Sequence, residues 1–203
     1  IQEQVAGDEM VDWRNAEKFT PQIRDHLIAT GFLRTAQDFT HEPVSDIPRN
    51  HYAVLHDTLE IFGTSLLGLT LKCSRCHDHK FDPIEQQEYY RLMACFTPAY
   101  NSANWKAVFP WKPEIPDRAL PDVSDSKRKE TQRHNADIDR RIALLKQKIS
   151  EKSANQKVNQ QIATLNATRR RWGKIQALWD VGSPPRTHLL QRGDFQALGA
   201  EVQ

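Results

Sequence analysis

The sequence predicts a mainly α-helical protein, and three observations predict it. Apolar residues return at threes and fours from Tyr52 to Leu69 and again from Ile84 to Phe96. The same spacing recurs in two polar arms between Ser124 and Trp179. Strand signals are confined to a short run, Thr187-His188-Leu189-Leu190, near the end of the chain.

The elements follow in order. Thr20-Pro21, then Gln22 to Thr30, then Gly31 reads as a helix. Thr caps it, Pro fits the first turn because its missing N–H would be unpaired there anyway, and Gly stops it. Residues 35–50 carry Pro43, Asp46, Pro48 and Asn50 and read as loop. Tyr52–Leu69 is the long apolar helix, running straight into Cys73, with Val54, Leu55, Leu59, Phe62, Leu66 and Leu69 on its apolar face. A polar loop, His77–Pro83, precedes a helix from Ile84 to Phe96, whose first turn carries Glu85 and Glu88 where the helix dipole favours negative charge. Five prolines between Thr97 and Val123 mark an extended connector, laid on the core by Trp105, Phe109 and Trp111. Ser124–Trp179 reads as an antiparallel coiled-coil hairpin turning at Ser153-Ala154-Asn155. Ile138, Ile142, Leu145 and Ile149 face Val158, Ile162 and Leu165, and Trp172, Ile175 and Trp179 extend the second arm. The tail reads as a linker and a short strand.

Composition narrows the class. The chain has 203 residues, 38% of them hydrophobic and 27% charged, with a mean hydropathy of −0.69. Its longest apolar run, Ser65–Leu71, is far below the roughly 20 residues of a membrane-spanning helix. Three cysteines and 8 glycines exclude a disulfide-dense scaffold and a collagen-like chain. No signal peptide is visible and the first residue is not Met, which predicts a processed product or a piece of a longer chain. A net charge of +2 does not point to nucleic acid, but it conceals an asymmetry. Residues 124–174 hold 14 Lys and Arg against 5 Asp and Glu. Four segments are therefore expected: 1–100, a helical domain; 101–123, the connector; 124–179, a basic hairpin; 180–203, a linker and a short strand. The hairpin's charge reads as a solvated coiled-coil surface, with docking on an acidic partner or on another part of the parent protein as the functional alternative.

The chemistry-bearing motif is Cys73-Ser74-Arg75-Cys76-His77, the C-x-x-C-H pattern of covalent haem c attachment. Two thiols three positions apart can each add to one of the two haem vinyl groups. The following His then offers its imidazole to the iron from the same side. Three alternatives use the same residues: a zinc site of Cys73 and Cys76 with two of His77, His79 or Asp82, a redox dithiol, or a pair of buried thiols. Cys95 has no sequence neighbour to pair with and reads as a buried small apolar residue.

The run Gly68-Leu69-Thr70-Leu71-Lys72-Cys73-Ser74-Arg75-Cys76-His77-Asp78-His79-Lys80-Phe81-Asp82-Pro83-Ile84, followed by Tyr89-Tyr90-Arg91-Leu92, closely resembles the planctomycete-type cytochrome-like domain. Gln4-Val5-Ala6-Gly7-Asp8-Glu9 and Ala29-Thr30-Gly31-Phe32 extend the resemblance over residues 1 to about 100. This domain, of formally unknown function, occurs in large exported proteins of planctomycetes and related bacteria. Thr187 to Asp194 resembles the opening of its companion domain. The resemblance implies an extracytoplasmic, periplasmic setting, missing flanking segments, and haem c at Cys73, Cys76 and His77. It implies no established reaction.

The distal iron ligand is a further expectation. Met93, folding back from the next helix, is the candidate, against a reading as core filler. His56 lies 17 residues before Cys73, out of reach along an unbroken helix. His79 cannot easily cross the ring; it ligates a second haem or a partner's haem, or faces solvent. Met10, His26, His41 and His51 stay possible through tertiary folding. Asp78, Lys80 and Asp82 flank the site, and Tyr89, Tyr90 and Trp105 can pack on the ring edge. The expected function is electron transfer to a redox partner or to other domains of the parent chain. One rival is part of a redox enzyme; the other is a zinc-stabilised, non-catalytic interaction module.

Overall fold

The computed structural model describes residues 1–36, 47–100, 119–147 and 156–202. It is mainly α, as expected. The helices are α1 (Gln2–Ala6), α2 (Pro21–Ala29), α3 (Ile47–Phe62), α4 (Gln86–Phe96), α5 (Asp125–Gln147) and α6 (Gln156–Ala167). The strands are β1 (Leu120–Pro121), β2 (Lys174–Ile175), β3 (Thr187–Leu190) and β4 (Leu198–Val202). Two compact units emerge, each discontinuous in sequence. One comprises Ile1–Val11, Asp25–Ala119 and Gln176–Gln203; the other comprises Asp12–Arg24 and Leu120–Ile175. This division differs from the expected one: residues 12–24 group with the hairpin, the expected connector is divided between the units after Ala119, and the chain from Gln176 groups with the first unit. Among the described residues, no helix is long and apolar enough to cross a membrane.

In the first unit α3 begins at Ile47, inside the expected loop, because Pro48 sits in the first turn where it removes no needed donor. The helix does not run on to Leu69. It ends at Phe62 in a π-type turn, Gly63–Leu67, and Gly68 stops it with a left-handed φ of +67°. A Cβ on Gly63 would meet the Leu71 side chain at 2.8 Å, so glycine allows Leu71 to pack directly under the helix end. The chain thereby turns back and lays the segment after Leu71 against α3. Glu85 caps α4, and its N–H is bonded in return by Glu88 Oε2 at 3.0 Å. Leu33, Val54, Leu55, Leu59, Tyr89, Tyr90, Met93 and Phe96 form the core.

The tail is more than a linker and a strand. β3 and β4 pair as an antiparallel hairpin, and Leu190 and Val202 join the core beside Leu178. The sequence reading missed this because β4, Leu198-Gly199-Ala200-Glu201-Val202, has neither the β-branched run nor the alternation that marks a strand.

In the second unit α5 and α6 pack on each other. Ile138 and Ile142 are buried, and Leu145, Val158, Ile162 and Leu165 are half-buried along the expected seam. Ile149 and the expected turn at 153–155 lie outside the described residues, as do His41, Trp105, Phe109 and Trp111. The second arm is shorter than expected. It ends at Ala167, so Trp172, Ile175 and Trp179 do not extend it. The cause is a side-chain clamp. Asn135 Oδ1 accepts from Arg170 N at 3.1 Å while its Nδ2 donates to Arg170 O at 2.9 Å. His134 Nε2 binds Thr168 O at 3.0 Å. These bonds satisfy the backbone in an extended form, and the chain continues into β2, which pairs with β1.

One buried acid gives a pH prediction. Asp8 is buried, and burial first, then the neighbouring Asp180 charge, pushes its carboxyl from 3.8 up to about 6. A raised acid binds its proton more tightly when folded. Stability is therefore highest below pH 4 for this group and falls as pH climbs towards 6 and beyond. Asp8→Asn keeps an acceptor for the Asp180 N–H and removes the charge. It should raise stability at pH 8 by about 2 kcal/mol and change little at pH 4, as read from denaturant midpoints at the two pH values. An equal effect at both would show that charge is not the cause.

Candidate cofactor site

The motif rides on a single 3-10 turn, Leu71–Arg75, with Cys76 closing it by an N–H bond to Cys73 O at 3.2 Å. Three residues per turn place positions i and i+3 over one another. Leu71 and Ser74 accordingly share the buried side, while Cys73 and Cys76 share the exposed side as free thiols. Both thiols being exposed overturns the buried-pair alternative. Cys95 is also exposed, contrary to expectation.

His77 follows on the surface. Its Nδ1 lies 2.6 Å from Asp78 O. A carbonyl can only accept, so Nδ1 is the donor in this contact, and Nε2 is the nitrogen left for a ligand. The succeeding loop is closed by its own bonds: His79 N to Ile84 O at 2.8 Å, Ile84 N to Asp82 O at 2.8 Å, and Gln86 N to Asp78 Oδ1 at 2.9 Å. His79 is the bracket of this loop. Its side chain is buried, and its Nδ1 accepts from Asp82 N at 2.9 Å, so that lone pair is already engaged. Lys80 and Phe81 are exposed at the loop's tip.

Arg75 turns inward. Its carbonyl accepts from Tyr90 Oη at 2.9 Å and from Gln86 Nε2 at 3.1 Å. Its Nη2 donates to Gly193 O at 3.2 Å. The reversal after α3 brings the motif close to His56, so the distance along a straight helix does not apply. Burial, then the Arg75 guanidinium, lowers the His56 imidazole to about 3, which keeps it neutral. His56 Nδ1 meets Tyr89 Oη at 2.6 Å. Tyr89 and Tyr90 are both pushed upward by burial and stay protonated.

Met93 is fully buried among core side chains. It also lines a pocket together with His51, Tyr52 and Thr97. His26 lies 3.9 Å from Glu3, His51 is buried, and Met10 is exposed. Among the described residues, no group of three or more His, Cys, Asp or Glu is placed to hold a metal ion.

Gln86, Gly193 and the inward role of Arg75 were not legible in the sequence; Tyr90 is legible there only as a packing group at the ring edge, and His56 is out of reach only on the assumption of an unbroken helix. Their roles arise from the chain reversal after α3 and from the tail hairpin. The only sequence signal was local: Gly68 and Gly193, each able to take a left-handed turn.

Residues 1–101 match a family model described as PSCyt2, Protein of unknown function (DUF1549). This segment is similar to a planctomycete-type domain family of unknown function. No curated protein and no solved structure matches the chain. The PSCyt2-like segment carries the thiols and His77, but the compact unit that holds them leaves out its residues 12–24 and takes in the tail from Gln176. The family description names no reaction.

Proposed function

We propose that the PSCyt2-like segment attaches one haem c through Cys73 and Cys76, with His77 as the proximal iron ligand. In this reading the protein serves electron transfer outside the cytoplasm, within a larger exported protein or with a redox partner. The observation that carries the reading is the pair of exposed thiols on one face of a single turn, followed at once by a surface imidazole whose Nδ1 is held 2.6 Å from Asp78 O. With Nδ1 donating to that carbonyl, Nε2 is the nitrogen left for the iron. This donor set suits haem c, which when bound supplies a one-electron iron couple. The chain's own part is to present both sulfurs on one turn and to fix the ring orientation. The Asp78 carbonyl also makes the imidazole a stronger donor. Met93, enclosed in the core, is not proposed as the distal ligand.

The test is the mass of the denatured, reduced full chain after production in a periplasm with haem-attachment machinery. A gain of one haem that survives denaturation is expected. A chain without added mass, recovered folded from that compartment, refutes the reading.

A further inference from the structure

The turn between β3 and β4 rests on the second cysteine. Gly193 has a φ of +75°, and a Cβ there would lie 2.8 Å from Cys76 Sγ and 3.0 Å from Arg75 Nε. Only a residue without a side chain lets the turn come this close. The approach is clamped from two sides. Arg75 Nη2 donates to Gly193 O at 3.2 Å, and Gln86 Nε2 bridges Leu190 O and Arg75 O, both at 3.1 Å. Arg192, just before the glycine, has a φ of +53°. That conformation costs a non-glycine residue about 1 kcal/mol, so packing holds the turn in shape. Leu190 anchors it from behind, fully buried in the core. Cys73 lies one turn earlier on the exposed face.

We propose that Gln191–Gly193 is a wall of the thiol site. It covers one side of Cys76 Sγ, so Cys73 is the first of the two thiols to react with an incoming electrophile. Gly193 is the positioning residue that sets this order. The proposal rests on the haem reading only for the identity of the electrophile. With a vinyl group, the sulfur bonds to one vinyl carbon and the thiol proton passes to the other, with no change of electron count and no leaving group.

The order is measurable without haem. The reduced full chain is treated with limiting iodoacetamide, which forms an S–C bond, expels iodide and releases the thiol proton. Labelling is then mapped by peptide mass, with the exposed Cys95 as internal reference. Cys73 should label several-fold faster than Cys76. Gly193→Ala should push the turn away and raise the Cys76 rate several-fold while Cys73 and Cys95 stay unchanged. Equal rates at Cys73 and Cys76 in the unaltered chain overturn the proposal, as does a Gly193→Ala variant with an unchanged ratio. If all three thiols speed up together, the variant has opened globally and Gln86→Ala decides, since it removes the amide clamp without crowding the site. A selective rise at Cys76 then supports the wall; a constant ratio refutes it. Because no haem enters, this outcome is independent of whether haem attachment is found.

Discussion

A chain carrying both Cys73→Ser and Cys76→Ser is expected to lose covalent haem completely while keeping its fold. The two sulfurs are exposed, so replacing them with hydroxyls leaves no cavity and no buried polar group without a partner. What disappears is chemistry alone: a hydroxyl does not form the thioether. Either single variant should retain at most one link and a weakened yield. His77→Ala tests the other half of the site. On the proposed attachment, haem should stay bound through sulfur while the iron loses an axial imidazole and its spin state changes. Denaturing mass spectrometry reads the links, absorption spectra read the ligand, and circular dichroism checks the helices. An unaltered visible spectrum in the double serine variant would sink the assignment.

The helices were legible where apolar spacing and end signals agreed. α4 carries Glu85 at its N-cap and Glu88 in its first turn, and α2 starts at Pro21, with Thr20 Oγ1 accepting from Ile23 N at 3.2 Å. Periodicity misled where a tertiary contact overrode it. The apolar pattern continues past Phe62, yet Gly63 and Gly68 let Leu71 dock and reverse the chain. The second hairpin arm keeps its spacing through Trp172, yet the Asn135 clamp takes the backbone at Arg170 out of the helix. At the site, the motif named its own thiols and imidazole. It could not show that a 3-10 turn would align the thiols, nor that the tail would lie over Cys76. The first depends on which local turn the backbone adopts, and the second on contacts more than a hundred residues apart in sequence, as in the bond between Arg75 and Gly193.

The last of these contacts carries the largest stability prediction. If the PSCyt2-like segment folded alone, a side chain in the tail would matter little to it. Leu190 is instead fully buried in the same core as Leu55, Leu59 and Tyr90. Truncating such a side chain leaves a cavity as well as losing its transfer energy. Leu190→Ala should therefore destabilise the first unit by about 2–5 kcal/mol, a large share of the roughly 5–15 kcal/mol available to a typical domain. Leu165→Ala, half-buried on α6 in the second unit, removes less contact and should cost that unit about 1 kcal/mol. The two units need not unfold together, so one bulk transition would blur the comparison. Hydrogen-exchange mass spectrometry separates them by peptide. Leu190→Ala should accelerate exchange throughout the slow amides of α3 and α4, and Leu165→Ala should act on α5 and α6. Unchanged protection of α3 and α4 in Leu190→Ala would mean that the tail is dispensable and that residues 1–101 form the complete folding unit.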